Sequence, residues 1–200
     1  MNQNTKALVL DVDGMVNLGK RFSQRFDEVF GISTDVTRDF FNGPFQDCLV
    51  GKADLMEELG KVVVNWGWKG NIDDIVTFWF DGENNLNKDM LEYVQQLRQN
   101  GLPCYIGTNN EKYRTQYLIE NMKLGDLFDK VYSSSHIGYR KPDKEFYQHI
   151  VDDAGLGQDG IIFWDDDHDQ VEAAKNFGFQ AELYKGFDDF KNNVVESGLL

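Results

Sequence analysis

The sequence predicts an α/β protein: a parallel sheet of about five strands with helices on both faces, and an all-helical segment inserted after the first strand. Two observations predict the sheet, namely short continuous apolar runs and the amphipathic helical patterns that alternate with them. A third observation predicts the insertion, because roughly seventy residues separate the first apolar run from the others and show no strand-like alternation.

Five short apolar runs are predicted to form the strands. Each run ends in polar residues or in residues that favour turns. Continuous apolar character is typical of parallel strands that helices cover on both faces. The predicted strands span residues 6–10, 103–107, 131–133, 161–164 and 179–184.

An amphipathic helix is predicted before each of the last four strands. The first begins next to Asn87, whose side chain is suited to cap a helix, and ends before Gly101. Gly155 and Gly178 are expected to end the third and fourth helices, because glycine readily adopts the left-handed conformation found after many helices. The remaining helical stripes are Tyr113-Tyr117-Leu118-Met122, Phe146-Tyr147-Ile150-Val151 and Val171-Ala174-Phe177.

Residues 18–86 form the predicted helical insertion, which leaves residues 1–17 and 87–200 as the α/β core. Breaks between the helices of the insertion are expected at Gly43-Pro44, Gly67 and Gly70. The apolar residues at helical spacing are Phe22, Phe26, Val29 and Phe30, and then Leu55, Met56, Leu59, Val62 and Val63.

The charge of the chain limits its partners. The 200 residues include 20 Lys and Arg against 34 Asp and Glu, a formal net charge of −14. Such a charge repels nucleic acid polymers and anionic membrane surfaces, so we expect neither as a partner. No apolar run is long enough for a signal-peptide core or a membrane span. Cys48 and Cys104 lie far apart and form no CxxC pair, which favours reduced thiols in a cytoplasmic protein.

Two carboxylates follow the first strand. Asp11 and Asp13 come directly after the apolar run, and Gly14 allows the chain to bend there. Open parallel sheets bind ligands at the carboxyl ends of their strands, so both side chains could turn toward one site. The same stretch could also be a plain turn.

Three consecutive aspartates, Asp165 to Asp167, follow the fourth strand. Two carboxylates about 4 Å apart repel by roughly 4 kcal/mol at an effective dielectric of about 20, so converging acids need a cation or a proton. Oxygen ligands favour a hard divalent ion, and phosphate nearby would favour Mg²⁺. The alternative is a solvated acidic loop in which one aspartate caps the next helix, with Asp169 the best placed.

Weaker signals follow the second and third strands. Thr108, Asn109 and Asn110 offer a hydroxyl and amides at the start of a helix, which suits an anionic oxygen. Lys141 precedes a proline and another helix start. Taken singly, a Thr-Asn pair is more often a helix cap and a Lys-Pro pair more often a turn.

In this order, the four segments resemble the four motifs of the haloacid dehalogenase-like (HAD) hydrolase superfamily. Asp165-Asp166, followed by Val171-Glu172-Ala173-Ala174 and Phe177-Gly178-Phe179, looks like its subgroup of small phosphatases. The resemblance runs over essentially the whole chain. It implies a Rossmann-like core of residues 1–17 and 87–200, with residues 18–86 as a helical cap after the first motif.

The resemblance also implies a role for each matching residue. Asp11 would be the nucleophile that attacks phosphorus and forms an aspartyl-phosphate. Asp13 would donate a proton to the leaving alcohol and then accept one from water. Thr108 and the Asn109 backbone amide would hold the phosphoryl oxygens, and Lys141 would neutralise charge between Asp11 and the phosphoryl group.

The implied cofactor is Mg²⁺, bound by Asp11, by the backbone carbonyl of Asp13 and by Asp166. Asp165 would act on the metal directly or through a water molecule. The sequence departs from the family pattern near this site at three positions, which are Met15, Asp167 and Gln170.

The resulting hypothesis is a Mg²⁺-dependent phosphatase, a phosphoric monoester hydrolase acting on a small phosphorylated metabolite such as a sugar phosphate or a nucleotide. One alternative is a phosphoryl transferase such as a sugar phosphomutase, and another is a catalytically silent binding or regulatory protein. Asp13 disfavours dehalogenation, which needs no such acid. The aromatic residues Phe41, Phe45, Trp66 and Trp79 could line a specificity pocket, but their number and spacing favour the core of the cap.

Overall fold

A parallel sheet forms the centre of the computed structural model, which describes residues 5–196. Within these residues the strand order is β3-β2-β1-β4-β5, and all neighbouring strands are parallel. This confirms the predicted sheet, with boundaries shifted by at most one residue. The strands are β1 (Ala7–Leu10), β2 (Cys104–Thr108), β3 (Lys130–Ser133), β4 (Ile161–Asp165) and β5 (Gln180–Leu183).

The strand β1 lies in the middle of the sheet although it comes first in the chain. Leu10 pairs with Ile106 of β2 on one side and with Trp164 of β4 on the other. The amide of Asp11 continues this pairing by donating to the carbonyl of Trp164 at 2.9 Å. The carboxyl ends of β1, β2 and β4 therefore meet at one edge, where the chain order switches direction and ligands commonly bind.

The insertion between β1 and β2 is all-helical within the described residues. The expected breaks are present, because one helix ends at Asn42, the next begins at Pro44, and Gly67 and Gly70 lie between the last two helices. The stripe predicted to run to Val63 is helical only to Gly60, because turns follow. The helices are α1 (Phe22–Phe30), α2 (Thr34–Asn42), α3 (Pro44–Leu49), α4 (Leu55–Gly60) and α5 (Ile72–Glu83).

The remaining helices cover the sheet. Asn87 caps the helix Lys88–Gln99 as predicted, because its side chain accepts a hydrogen bond from the amide of Met90. Gly155 and Gly178, both in the left-handed conformation, follow the helices Lys144–Ala154 and His168–Phe177. A short 3₁₀ helix (Gln158–Gly160) precedes β4. These helices are α6 (Lys88–Gln99), α7 (Lys112–Glu120), α8 (Leu124–Leu127), α9 (Ser134–Ile137), α10 (Lys144–Ala154), α11 (His168–Phe177) and α12 (Phe187–Glu196).

Successive residues of β1 point to opposite faces of the sheet, as the two-residue period of a strand requires. Leu8 and Leu10 pack into one apolar cluster with α6 and α12, whereas Val9 packs into another with α10 and α11. The sheet is therefore buried on both faces, which explains why its strands read as continuous apolar runs.

The insertion has its own apolar cluster and is tied to the core by hydrogen bonds. Phe22, Phe26 and Trp66 are among the buried residues of this third cluster. The Tyr113 hydroxyl of α7 donates to Asp54 at 2.7 Å, which joins the core to the insertion. We keep residues 18–86 as the proposed cap. Within the described residues, no helix combines the length and the apolar character needed to cross a membrane.

Candidate active site

The predicted site residues lie together at the carboxyl edge of the sheet. Asp11 follows β1, Thr108 ends β2, Asp165 ends β4, and Lys141 lies between α9 and α10. All four side chains are buried. Parallel pairing brings the first three together, because the ends of neighbouring strands meet at one edge.

The Lys141 ammonium lies between two carboxylates. Its Nζ donates to Asp11 Oδ1 at 2.7 Å and to Asp165 Oδ2 at 2.6 Å, and the residue is only 3% exposed. Burial lowers the pKa of Lys141, but the two carboxylates raise it more, so that this pKa lies above its ordinary value. Lys141 therefore remains a cation at physiological pH and offsets part of the buried negative charge.

Asn109 holds Lys141 in place. Its side-chain Oδ1 accepts from the Lys141 amide and its Nδ2 donates to the Lys141 carbonyl, both at 2.9 Å. The sequence predicted a role for the backbone amide of Asn109, but not this side-chain contact. The two residues are 32 positions apart, so no local pattern could have paired them.

Thr108 is oriented by Asn110. The Asn110 Nδ2 donates to Thr108 Oγ1 at 2.8 Å, which leaves the hydroxyl proton of Thr108 for another acceptor. The predicted use of the α7 N-terminus for an anion is wrong in part. The buried carboxylate of Glu111 caps this helix and accepts from the amides of Tyr113 and Arg114, so these two donors are already occupied.

Asp13 is positioned by Asn17, which the sequence did not predict. Asn17 Nδ2 donates to Asp13 Oδ1 at 3.1 Å. A tight turn brings the two side chains together, because the Gly14 amide donates to the Asn17 carbonyl at 2.8 Å. The second oxygen of Asp13 is thereby left for other chemistry, and Asp13 lines a cleft between the insertion and the core.

Position 14 needs glycine for two reasons, its backbone conformation and the closeness of Asp166. The φ of Gly14, +94°, lies in the region that favours glycine. A Cβ atom at this position would lie 2.0 Å from Asp166 Oδ2. The absence of a side chain at Gly14 therefore allows Asp166 to approach the turn after β1.

Three carboxylates fit a hard metal ion. Asp11, Asp165 and Asp166 each offer an oxygen, and these oxygens lie within 4.8 Å of one another. Burial and the nearby Asp165 and Asp13 raise the pKa of Asp11 against the opposing effect of Lys141, and burial and Asp165 raise that of Asp166. A divalent cation would relieve this repulsion, and an all-oxygen donor set suits Mg²⁺.

The two aspartates of the β4 motif differ in their contacts. Asp165 already accepts at both oxygens, from Lys141 and from the amide of Asp167 at 2.9 Å. Asp166 is exposed and lines the cleft. These contacts favour Asp166 as a direct metal ligand and Asp165 as a ligand through water. The predicted metal role of the Asp13 carbonyl stays a prediction.

Two of the three departures from the family pattern have structural explanations. Asp167 caps α11 by accepting from the Asp169 amide at 2.8 Å, so the expectation that Asp169 is the cap is wrong. Asp169 lies in the first turn, two positions after the cap. Met15 is fully buried in the apolar cluster beneath the site. At the third position the backbone carbonyl of Gln170 accepts from the Tyr147 hydroxyl at 3.2 Å, but any residue could make this contact, and nothing in the described residues explains the glutamine.

The comparisons with known proteins agree with this fold. The family model described as "Haloacid dehalogenase-like hydrolase" matches residues 53–182. A HAD family enzyme from Bacteroides thetaiotaomicron, solved in complex with magnesium and inorganic phosphate, superimposes with a TM-score of 0.80. That match has 20% sequence identity and covers 94% of this chain and 98% of the other.

Several curated relatives are phosphatases by name. A phosphatase from Mycobacterium tuberculosis (strain CDC 1551 / Oshkosh) is 34% identical over 103 residues, which are 51% of this chain. The chain spans only 48% of the length of that relative. The D-ribitol-5-phosphate phosphatase of Bacteroides thetaiotaomicron is 23% identical over 162 residues, which cover 76% of this chain and 77% of that protein.

Proposed function

The chain belongs to the haloacid dehalogenase-like hydrolases, and from this premise we propose that it is a Mg²⁺-dependent phosphatase acting on a small phosphorylated metabolite. The observation on which the proposal rests is the position of Lys141, which contacts both Asp11 and Asp165 beside the half-buried Asp13. A nucleophile, a fixed cation and an acid at one edge are the groups that phosphoryl transfer requires.

Asp11 would act as the nucleophile. Lys141 holds its Oδ1, so Oδ2 is the oxygen that would attack phosphorus. The P–O bond to the alcohol then breaks, its electron pair leaves with the alcohol oxygen, and an aspartyl-phosphate remains. Water attacks this phosphorus in the second step and releases Asp11 with inorganic phosphate.

Asp13 would transfer the protons. Asn17 fixes one oxygen of its carboxyl group, and the other would give a proton to the departing alcohol oxygen. In the second step the same oxygen would accept a proton from the attacking water. This need for an acid separates ester cleavage from dehalogenation, in which a halide leaves without a proton.

The remaining groups would bind the phosphoryl oxygens. Thr108 accepts from Asn110 and can donate its own proton to a phosphoryl oxygen, while the Asn109 amide is proposed as a second donor. Magnesium held by Asp11, Asp166 and the Asp13 carbonyl would supply positive charge at the same oxygens. Asp165 would bind the magnesium ion through a water molecule.

The name of the Bacteroides relative, D-ribitol-5-phosphate phosphatase, supports a small phosphorylated metabolite as the substrate of this chain. The cleft also supports that size, because the insertion covers the edge of the sheet where Asp13 and Asp166 lie. Exclusion of nucleic acid polymers and membranes as partners stays a prediction from the charge. The cytoplasmic location stays a prediction from the spacing of Cys48 and Cys104.

A phosphate-release screen tests the proposal. Purified protein is incubated with sugar, nucleotide and other small phosphate esters. We expect release of inorganic phosphate in the presence of Mg²⁺, and we expect this release to stop after addition of EDTA. Restored release on adding excess Mg²⁺ would separate metal removal from unfolding. Release of halide from 2-chloropropionate without phosphate release from any ester would contradict the proposal, and conversion of sugar phosphates without free phosphate would indicate a phosphomutase.

Substitution Gly14→Ala is expected to weaken magnesium binding by about 10- to 100-fold, because the new Cβ displaces Asp166. The measurement is the Mg²⁺ concentration that gives half-maximal phosphate release. Gly138→Ala is the matched control, since Gly138 also has a positive φ, of 83°, but a Cβ atom added there would meet no heavy atom within 4 Å. Equal magnesium dependence of the Gly14 variant and the wild type would contradict the role of Gly14.

A further inference from the structure

The cleft between the insertion and the core has two unlike sides. Its volume is about 920 Å³, within the range of small-molecule sites. The core side is polar and includes Asp13, Asn109 and Asp166. The opposite side includes four aromatic residues of the insertion, which are Phe22, Phe41, Phe45 and Trp79. A phosphate ester bound at the core side would therefore place its leaving group against aromatic rings.

Three of these residues, Phe41, Phe45 and Trp79, form what we call the aromatic wall. Each ring contacts the other two, with centroid distances of 5.1 Å for Phe41–Phe45, 5.4 Å for Phe41–Trp79 and 5.6 Å for Phe45–Trp79. Phe41 and Phe45 are only half-buried. Their exposed ring surface would lose contact with water when an apolar group enters the cleft.

The sequence favoured the core of the cap for all the aromatic residues that it singled out. The buried cluster of the insertion includes both Trp66 and Trp79, as that expectation requires. Trp66 does not line the cleft, whereas Trp79 does, together with the half-buried Phe41 and Phe45. Their contacts with the buried cluster hold these rings in place while leaving one surface toward the cleft.

Several polar side chains beside the aromatic wall already have partners. Gln46 donates to the carbonyl of Phe41 and accepts from Arg140. Lys20 pairs with Glu28 at 2.7 Å, and Arg38 pairs with Asp35. Glu83 accepts from the amide of Phe22 at 2.6 Å. A leaving group whose hydroxyls bonded to these four side chains would have to compete with their existing bonds.

We propose that the substrate is a phosphate ester of an alcohol or phenol whose carbon skeleton is apolar or aromatic, and that the aromatic wall selects it over polyol phosphates. The proposal rests on the phosphatase function proposed above. Each methylene buried against the wall is expected to raise kcat/KM by about three- to fourfold, the factor that corresponds to about 0.8 kcal/mol per buried methylene.

The first experiment compares esters with the same number of carbon atoms. The kcat/KM of the wild type is measured with Mg²⁺ for hexyl phosphate and for sorbitol 6-phosphate, and for ethyl, butyl and octyl phosphate as a series. We expect at least a tenfold preference for hexyl phosphate, and a rise along the series until the cleft is filled. Equal rates, or a preference for sorbitol 6-phosphate, would overturn the proposal.

The second experiment changes the aromatic wall itself. Phe41→Ala and Phe45→Ala should each lower kcat/KM for hexyl phosphate by about tenfold and change that for sorbitol 6-phosphate by less than about twofold, and Phe41→Leu should retain part of the preference. Phe30→Ala is the control, because Phe30 is 45% exposed and does not line the cleft. A loss of activity shared equally by both esters would overturn the proposal.

Binding without turnover separates this proposal from the phosphatase function. Calorimetry compares hexylphosphonate with the phosphonate analogue of sorbitol 6-phosphate, both with Mg²⁺. Tighter binding of hexylphosphonate would support the apolar leaving group even if no ester were hydrolysed, and in that event only the phosphatase proposal would fail. Equal binding of the two phosphonates would overturn the proposed selectivity.

Discussion

Substitution Asp11→Asn is expected to lower kcat for phosphate release by at least about 1,000-fold, because an amide cannot act as the nucleophile. The side chain keeps its size, and Lys141 keeps its contact with Asp165, so the fold should be retained. Phosphate release measures the effect, and circular dichroism checks the fold. Asp89→Asn, at an exposed position of α6, is the matched control and should retain full activity. Wild-type activity of the Asp11 variant would contradict the assigned nucleophile.

Substitution Lys141→Met is expected to reduce both activity and stability. Removal of the ammonium leaves the buried Asp11 and Asp165 without their shared cation, which should lower kcat by at least about 100-fold and the free energy of unfolding by about 3–5 kcal/mol. Urea unfolding in EDTA measures the stability, since EDTA prevents added metal from replacing the missing charge.

The stability loss of the Lys141 variant should depend on pH. Burial already raises the pKa of Asp11, and loss of the ammonium removes the charge that opposes this rise, so protonation of Asp11 at low pH relieves its repulsion with Asp165. We therefore expect a larger loss at pH 8 than at pH 5.5. Lys144→Met changes an exposed lysine three residues away and should alter neither property. An equal loss at the two pH values would indicate lost packing in place of unpaired charge.

The sequence was most informative where local pattern and sheet geometry act together. Continuous apolar runs predicted the strands, and the rule that parallel strands share a carboxyl edge predicted the grouping of Asp11, Thr108 and Asp165. The helix α12 was not predicted, although Phe187, Phe190 and Val194 have helical spacing in the sequence. A search for that spacing beyond the last strand would have found it.

The contacts that orient the site could not be read from the sequence. Asn17 reaches Asp13 across a four-residue turn, and Asn109 bonds to Lys141 from another loop. Asparagine is common in turns and helix caps, so its presence near a motif does not identify a partner. The close approach of Asp166 to Gly14 likewise follows from the pairing of β1 with β4, and not from either motif alone.

The central place of β1 sets the order in which the protein can be assembled during synthesis. Leu8 pairs with Cys104 and with Ile162, so its two neighbouring strands leave the ribosome roughly 100 and 150 residues later. The strand that precedes the proposed nucleophile is thus made before both of its partners, and of the described strands only β5 joins the sheet after its pairing is complete. Until β4 emerges, Ala7–Leu10 exposes an apolar edge on a nascent chain, where early chaperone contact would favour correct pairing over aggregation.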